Sequence, residues 1–307
     1  MTRVCIAVPT FRRVEYLGKL LTTLSNLTPL DREFTVGVVI LDNDPDGSAR
    51  STVSGTAATF PFALHYEHVP SRGLSTVRNY ALAYALQHAD VLVMLDDDEL
   101  PEPQWLSELL RVARATAADA VIGPVQALLP DDAPRWIREF RAREYPRFRD
   151  GELVADGWTS NCLVRVQRMS DAGLSFDTSL DFAGGEDQLF FRELLARDGT
   201  IAYAAQATVW EILPAARRSI GCVLKRSFRR GNSLAMCDRR LKGDFFGLAI
   251  RAAKGLAIMA IGAAQLVPLA LFRGKAAAVM SSFEIARGAG MLAGLAGVSY
   301  QAYRRQA

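Results

Sequence analysis

The stretch VLVMLDDDEL, residues 91–100, decides the fold. Its first five residues are apolar, which is typical of a strand buried on both faces of a sheet. Asp96, Asp97 and Asp98 follow directly. Because side chains alternate along an extended backbone, Asp96 and Asp98 are expected to lie on the same side. The sequence therefore predicts a central strand that ends in a pair of carboxylates.

Three other runs of strand length lie upstream, at residues 4–8, 36–41 and 64–68. Helical periodicity occupies the segments between the strands, most clearly at residues 14–27 and 77–88. Strands that alternate with helices predict an α/β fold with a mostly parallel sheet covered by helices on both faces. Ligands bind such sheets beyond the carboxyl ends of the strands, so the polar residues at those ends are the candidate site.

The carboxylates of Asp96 and Asp98 are hard oxygen ligands of the kind that Mg²⁺ or Mn²⁺ prefers. Like charges so close together repel unless a cation offsets them, which favours a metal site. A solvated acidic turn before the next helix is the alternative.

Two further acidic segments have open interpretations. The DND sequence at residues 42–44 suits hydrogen bonding to a ribose or base, but also an ordinary turn. The GED sequence at residues 185–187 begins a predicted helix after Gly184. The two glycines permit close approach of the backbone to a ligand. The acidic residues alone are also a favourable helix start.

Composition limits the class of protein. The chain has 307 residues, of which 50% are hydrophobic, and a net charge of +3. This content supports one large core, with or without a small appendage, and excludes a disordered chain. The small net charge argues against a general nucleic-acid-binding surface. Four scattered cysteines without a CxxC pair indicate neither a zinc cluster nor a disulfide framework.

The carboxyl-terminal part is apolar. Residues 245–272 contain only Arg251, Lys254 and Gln265 as long polar side chains, and a second apolar stretch at residues 276–300 is interrupted by Glu284 and Arg287. The pair predicts a helical hairpin that dips into or lies on a membrane. A buried all-helical subdomain is the alternative.

Taken together, these segments resemble the family-2 inverting glycosyltransferases, in particular bacterial exopolysaccharide enzymes. The resemblance covers roughly residues 3–240 and implies the Rossmann-like GT-A fold. It rests on the PTFRR sequence at residues 9–13, DN at 42–43, RGLS at 72–75, RN at 78–79, the Asp-x-Asp motif at 96–98, and GED at 185–187.

The resemblance implies a donor site for a nucleotide sugar. Thr10 and Asp42 are expected against the base, Asp96 on the ribose side and Asp98 on the metal. The full set of expected nucleotide-binding residues is Pro9, Thr10, Arg12, Asp42, Arg72, Arg78, Asp96 and Asp97.

The resemblance also implies that Asp187 is the catalytic base, with Glu186 as the next candidate. Many relatives carry a histidine downstream, where this chain has VWEI at residues 209–212. Glu211 is therefore either an additional metal ligand or a loop residue. The basic segment at residues 225–231 resembles one that closes over the diphosphate, which would make Arg226, Arg229 and Arg230 diphosphate ligands. A basic helix facing anionic lipid is the alternative.

Acceptor residues are expected in two places. Residues 135–149 contain six arginines interleaved with aromatic residues and diluted by acidic ones. This mixture favours a sugar-diphosphate-lipid acceptor or a membrane surface over nucleic acid. Trp158 and Asn161 lie where relatives line the acceptor pocket, although a core tryptophan explains Trp158 equally well.

The sequence thus predicts a GT-A domain at residues 1–240 and a membrane-associated helical region at residues 245–303. The expected enzyme is a metal-dependent hexosyltransferase that uses a nucleoside-diphosphate sugar, with UDP-sugar favoured. It moves the sugar to a hydroxyl of a lipid-linked or polysaccharide acceptor. Its expected role is in exopolysaccharide or cell-surface glycan synthesis. Its expected location is the cytoplasmic face of the inner membrane, held peripherally or by the hairpin. A nucleotidyltransferase and a catalytically silent nucleotide-sugar-binding scaffold are the alternatives.

Overall fold

The computed structural model of the chain describes residues 1–241, 243, 245–298 and 300. The strands are β1 (Thr2–Thr10), β2 (Phe34–Asp42), β3 (Ala63–His68), β4 (Val91–Leu95), β5 (Glu99–Pro101), β6 (Ala120–Ile122), β7 (Val125–Leu128), β8 (Asn161–Arg165), β9 (Ile201–Tyr203) and β10 (Val209–Ile212). The helices are α1 (Val14–Leu24), α2 (Arg50–Ala57), α3 (Leu74–His88), α4 (Trp105–Thr116), α5 (Arg135–Glu144), α6 (Val166–Asp171), α7 (Glu186–Ala196), α8 (Ile220–Leu241), α9 (Phe245–Arg273) and α10 (Lys275–Leu295).

The main sheet confirms the predicted α/β class. Its strand order is β3-β2-β1-β4-β8-β6-β9, and the first four strands in that order are parallel. Only β8 is antiparallel to its neighbours. All five residues of β4 are buried, as expected for a strand covered on both faces.

A second sheet was not predicted. It has three short strands in the order β5-β10-β7, with β10 antiparallel to β5 and parallel to β7. Strands of three or four residues carry too little periodicity to be recognised in the sequence. This sheet places Glu211 of β10 opposite Glu99 of β5.

The chain divides into two compact units. The first comprises Met1–Leu128, Tyr145–Asp181 and Leu189–Ile212, and contains both sheets. The second comprises Leu129–Glu144, Phe182–Gln188 and the described part of Leu213–Ala307. These units are defined by packing, so the predicted functional division into residues 1–240 and 245–303 stays a prediction. Residues 299 and 301–303 of that prediction lie outside the described residues.

The second unit is helical, and α10 packs against both α8 and α9. Close approach of α8 and α10 depends on a glycine: a Cβ added at Gly231 would lie 1.9 Å from the Arg287 carbonyl oxygen. Within the described part of the chain, one helix, Phe245–Phe272, is long and apolar enough to cross a membrane. Its mean hydropathy is 2.0, and only 12% of its apolar window is buried.

We predict that Gly231→Ala destabilises the second unit. The new methyl group would overlap backbone of α10, and overpacking of this kind costs about 1–3 kcal/mol. Gly221→Ala is the matched control in the same helix, because nothing lies within 4 Å of a Cβ added there. Urea denaturation should show a lower midpoint for Gly231→Ala only. Equal midpoints for the two variants would contradict the close packing of α8 and α10.

Candidate active site

Three strand ends meet at one edge of the main sheet. The register pairs Thr10 with Asp42 across β1 and β2, and β1 also pairs with β4. The Thr10 hydroxyl donates a 2.8 Å hydrogen bond to Asp97 Oδ2, which joins the ends of β1 and β4 directly. The structure therefore brings these predicted donor residues together.

Carboxylates are concentrated beyond β4. Asp97, Asp98, Glu99 and Glu211 are all buried, whereas the side chain of Asp96 is about one-third exposed. Glu99 Oε2 accepts a 3.0 Å hydrogen bond from the Asp96 backbone. The Ile212 backbone N–H donates to the Asp98 carbonyl at 2.7 Å, so the β10 segment that carries Glu211 is bonded to the acidic loop.

Burial and mutual repulsion disturb the protonation of this cluster. Burial, followed by repulsion from Asp96 and Asp98, raises the pKa of Glu99 well above its usual value. Burial also raises the pKa of Asp97 to about 6, although the nearby Arg13 guanidinium opposes the shift. A cation bound at this edge would relieve the repulsion between the carboxylates.

The residues present fit a divalent cation that binds together with a nucleotide. Among the described residues, no group of three or more His, Cys, Asp or Glu side chains is arranged to hold a metal ion. Mg²⁺ commonly binds through only one or two protein carboxylates, with phosphate oxygens and water completing its shell. Asp98 and Glu211 carry hard carboxylate oxygens of this kind on two bonded segments, and their role as metal ligands stays a prediction.

The arginines expected near the donor lie in distinct surroundings. Arg78 is buried, with Nη2 at 3.5 Å from Asp96 Oδ1. Pro9, Arg78 and Asp96 line the same small cavity. The Arg72 guanidinium lies over the Phe11 ring at 4.8 Å from its centroid.

The loop after β2 is held by two predicted nucleotide-binding residues. Asp42 is fully buried and accepts hydrogen bonds from the Ala49 backbone at 2.8 Å and the Tyr66 hydroxyl at 3.0 Å. Arg12 Nε lies 3.0 Å from Asp44 Oδ1. Both side chains thus organise the loop, and their direct contact with a nucleotide stays a prediction.

Trp158 and Asn161 are both bonded within the protein, and their expected acceptor roles stay a prediction. Trp158 is buried and donates its indole N–H to the Gly123 carbonyl at 3.0 Å, an environment that favours the core alternative. Asn161 is fully buried, and its amide bonds to Trp105, Pro124 and Ala207. The indole N–H and the amide are thus hydrogen-bonded within the protein, as buried polar groups usually are.

The acidic residues at the start of α7 belong to the second unit. Glu186 is buried, whereas Asp187 is half-buried and accepts a 2.7 Å hydrogen bond at Oδ1 from the Gln188 backbone. Gly185 has a φ of +92°, and a Cβ added there would lie 2.5 Å from Ser233 Cβ of α8. The glycine therefore allows close packing on α8, which is a reason for its presence that needs no ligand.

Two of the three expected diphosphate ligands contact Glu144 in the second unit, one at its buried carboxylate and one at its backbone carbonyl. Arg226 pairs with Glu144, and Arg230 Nη1 donates to the Glu144 carbonyl at 3.1 Å. Arg229 instead lies beside Gly184. The basic segment is thus partly neutralised from within, and the assignment of Arg226, Arg229 and Arg230 to a diphosphate stays a prediction.

Sequence reasoning missed two residues that shape the site. Arg13 contacts Asp97 and Asp98 with one nitrogen, at 2.9 Å each. Asn43 donates from Nδ2 to the carbonyls of Val69 and Ser71, and so fixes the loop before α3. Arg13 belongs to the PTFRR motif and Asn43 to the DN motif. A motif does not show which of its side chains makes contacts in the folded protein.

Comparison with known proteins identifies the class. The model of glycosyl transferase family 2 matches residues 5–171, more than half of the chain. The chain is 39% identical over 230 residues to the succinoglycan biosynthesis protein ExoM of Rhizobium meliloti, covering 74% of this chain and 72% of the relative. The protein therefore belongs to glycosyl transferase family 2 and is a glycosyltransferase.

Solved structures show the same fold. The mannosyltransferase PcManGT from Pyrobaculum calidifontis, in complex with GDP-Man and Mn²⁺, superposes with a TM-score of 0.65 at 19% identity, over 95% of this chain and 87% of that one. Residues 1–349 of S. aureus TarS, in complex with UDP, give a TM-score of 0.52 at 15% identity, over 96% and 92% of the two chains. The predicted GT-A fold is confirmed.

We predict that Glu144→Gln destabilises the protein near neutral pH. Burial alone would raise the pKa of Glu144, but attraction to Arg226 and Arg141 outweighs it and lowers the pKa to about 2. A depressed carboxyl pKa stabilises the fold above the unfolded value of about 4.5, and this contribution is lost as the pH falls from there towards 2. The loss in the variant at pH 7 should be on the order of 3 kcal/mol.

The matched control is Glu139→Gln in the same helix, because Glu139 pairs with the exposed Arg135. Thermal unfolding between pH 2 and pH 7 checks both variants. Wild type should lose stability steeply below pH 4.5, and Glu144→Gln should have a flatter profile. Two variants of equal stability would show that the buried pair contributes nothing.

Proposed function

We propose that this glycosyltransferase moves a hexosyl unit from a nucleoside-diphosphate sugar, a UDP-sugar, to an acceptor hydroxyl. The acceptor is a lipid-linked glycan or a polysaccharide. The transfer inverts the configuration of the anomeric carbon. The observation that carries the proposal is the group of buried carboxylates beyond β4, at the edge of the sheet where β1, β2 and β4 end. The names of two similar proteins support it, one in succinoglycan biosynthesis and one in complex with UDP.

Asp98 and Glu211 would hold Mg²⁺ or Mn²⁺ in this proposal. When bound, the cation supplies positive charge that offsets the charge developing on the leaving nucleoside diphosphate. Thr10 fixes Asp97 at 2.8 Å, and Arg78 fixes Asp96 at 3.5 Å. The acidic loop is therefore ordered by its own neighbours, as a preorganised site requires.

Asp187 is the proposed general base. An inverting transfer is a single displacement, in which a carboxylate accepts the proton of the acceptor hydroxyl as the new bond forms. Asp187 is half-buried, whereas Glu186 is only 3% exposed and so has less access to an acceptor. The backbone bond from Gln188 holds one carboxylate oxygen of Asp187 in place.

The acceptor and cellular setting follow from the relative in succinoglycan synthesis, so we propose a role in exopolysaccharide or cell-surface glycan assembly. Residues 1–240 would form the transferase domain and residues 245–303 the membrane-associated region. We place the enzyme on the cytoplasmic face of the inner membrane, where nucleotide sugars are available as donors.

Helix α9 is the proposed membrane contact. Its outward side is formed by exposed apolar residues, namely Phe245, Phe246, Ile250, Leu256, Ile261, Val267, Leu271 and Phe272. On the opposite side, Arg251 pairs with Asp238 of α8, and α10 packs along α9 with Glu284 and Arg287 on it. Charged residues on α10 disfavour a bilayer crossing by the hairpin, so α9 would lie along the membrane surface.

We predict that full-length protein floats with anionic phospholipid vesicles in a density gradient and that Leu256→Glu combined with Ile261→Glu does not. Each substitution replaces an apolar side chain by a charged one. It thereby removes about 1.5–3 kcal/mol of the free energy gained when that side chain is buried in lipid. Leu153→Glu is the control, because Leu153 is 60% exposed in the first unit and Leu256 is 56% exposed. Flotation of the double variant at the wild-type level would contradict the membrane contact.

We predict that Asp187→Asn retains donor binding but transfers sugar about 10² to 10⁴ times more slowly than wild type, because an amide cannot accept the proton. The assay incubates purified protein with a panel of nucleotide sugars, Mn²⁺ and bacterial lipid-linked glycans, and reads released nucleoside diphosphate and the product anomer by NMR. Glu193→Gln is the control in the same helix, paired there with Arg197.

An α-linked donor should give a β-linked product. Retention of the α configuration would contradict the inverting mechanism, and near-normal transfer by Asp187→Asn would move the base elsewhere. Donor hydrolysis in the absence of any transfer product would leave the acceptor class unsupported.

A further inference from the structure

Arg13 occupies an unusual place among the carboxylates beyond β4. It directly precedes α1, and its Nη1 lies 2.9 Å from Asp97 Oδ1 and 2.9 Å from Asp98 Oδ2. One nitrogen therefore bridges the carboxylates of two consecutive residues. The other oxygen of Asp97 already accepts from Thr10.

The bridge is a charge interaction in a poorly solvated place. The side chains of Asp97 and Asp98 are 5% and 8% exposed, and that of Arg13 is 34% exposed. Two carboxylates so close and so buried repel each other, and a guanidinium group keeps its positive charge at any ordinary pH. Arg13 thus provides the compensation that a bound cation would otherwise provide.

A cation on Asp98 and the guanidinium on the same carboxylate compete with each other. Both are positive and both bind the carboxylate of Asp98, where the guanidinium contacts Oδ2, and like charges repel strongly at contact distance in a low-dielectric site. Arg13 has a route out, since a third of its side chain faces solvent while the carboxylates do not.

We propose that Arg13 is a positioning residue that takes the metal's electrostatic place in the metal-free enzyme, and that a divalent cation reaches Asp98 only by displacing the Arg13 guanidinium. This rests on the proposed metal site. Arg13 keeps the acidic loop in shape without metal and weakens the binding of free metal ions. The metal ion then binds tightly only when the negatively charged diphosphate of the donor binds with it.

The test measures Mn²⁺ binding by full-length protein without nucleotide, using the electron paramagnetic resonance signal of free Mn²⁺. Arg13→Met should bind Mn²⁺ about tenfold more tightly than wild type, because the competing charge is gone. Lys19→Gln removes an equal charge from the exposed side of α1, where Lys19 pairs with Glu15, and should bind as wild type does. Arg13→Lys restores the charge and should restore weak binding.

Thermal unfolding supplies a second readout. Without metal, Arg13→Met should melt several degrees below wild type, and Mn²⁺ should raise its melting temperature more than it raises that of wild type. A merely structural arginine would lower the melting temperature equally with and without Mn²⁺. If Arg13→Met does not fold, Arg13→Gln removes the charge while keeping a hydrogen-bond donor and serves for both measurements.

The outcomes separate this inference from the metal site on which it rests. Mn²⁺ affinity in the Arg13 variant equal to or weaker than wild type, with binding abolished by Asp98→Ala, would overturn the role of Arg13 and leave the metal site standing. Mn²⁺ binding that Asp98→Ala does not weaken, in either background, would overturn the metal site itself.

Discussion

The enzyme depends on keeping several carboxylates close together at the end of one buried strand. Each of Asp97, Asp98, Glu99 and Glu211 is nearly inaccessible to water, so their mutual repulsion is screened far less than it would be on a surface. The protein meets this requirement with two arginines from neighbouring elements, Arg13 and Arg78. Under the proposed function, the same unfavourable charge would favour the joint binding of a divalent cation and a diphosphate at this edge of the sheet.

The sheet register makes this arrangement possible. Pairing of β1 with both β2 and β4 sets Thr10 beside the acidic loop, and the small sheet brings β10 against β5. These contacts are made by backbone, so they do not depend on any ligand. In the second unit, by contrast, small residues allow α8, α10 and the segment before α7 to pack closely. The candidate base Asp187 is therefore held by helix packing and the donor residues by a sheet.

The sequence predicted the parts of the fold that have strong periodicity. The four parallel strands and their carboxyl-terminal polar residues are where the pattern placed them, since a continuous apolar run between turn residues has few other interpretations. The sheet β5-β10-β7 could not be predicted, because its strands are too short. The hydrophobic hairpin was recognised as two helices, but its contacts with α8 were not.

The contacts of individual side chains in the site were harder to predict than the fold. Trp158 and Asn161 stand at plausible acceptor positions. The sequence does not distinguish an indole or amide buried in a core from one that lines a pocket. Arg226 and Arg230 are bound to Glu144, which is far away in sequence. Arg12 was expected at the nucleotide and binds Asp44, while its neighbour Arg13 reaches the acidic loop. Such pairings are set by tertiary packing and leave no periodicity to detect.

The most direct test of the central claim is the position of the metal. Crystals of the full-length protein grown with Mn²⁺ and UDP would be measured at the manganese absorption edge. We expect one anomalous peak within bonding distance of Asp98, with the nucleotide phosphates on its other side and Arg13 moved off that carboxylate. A nucleotide bound with no manganese at Asp98, or manganese bound at another group of residues, would contradict it.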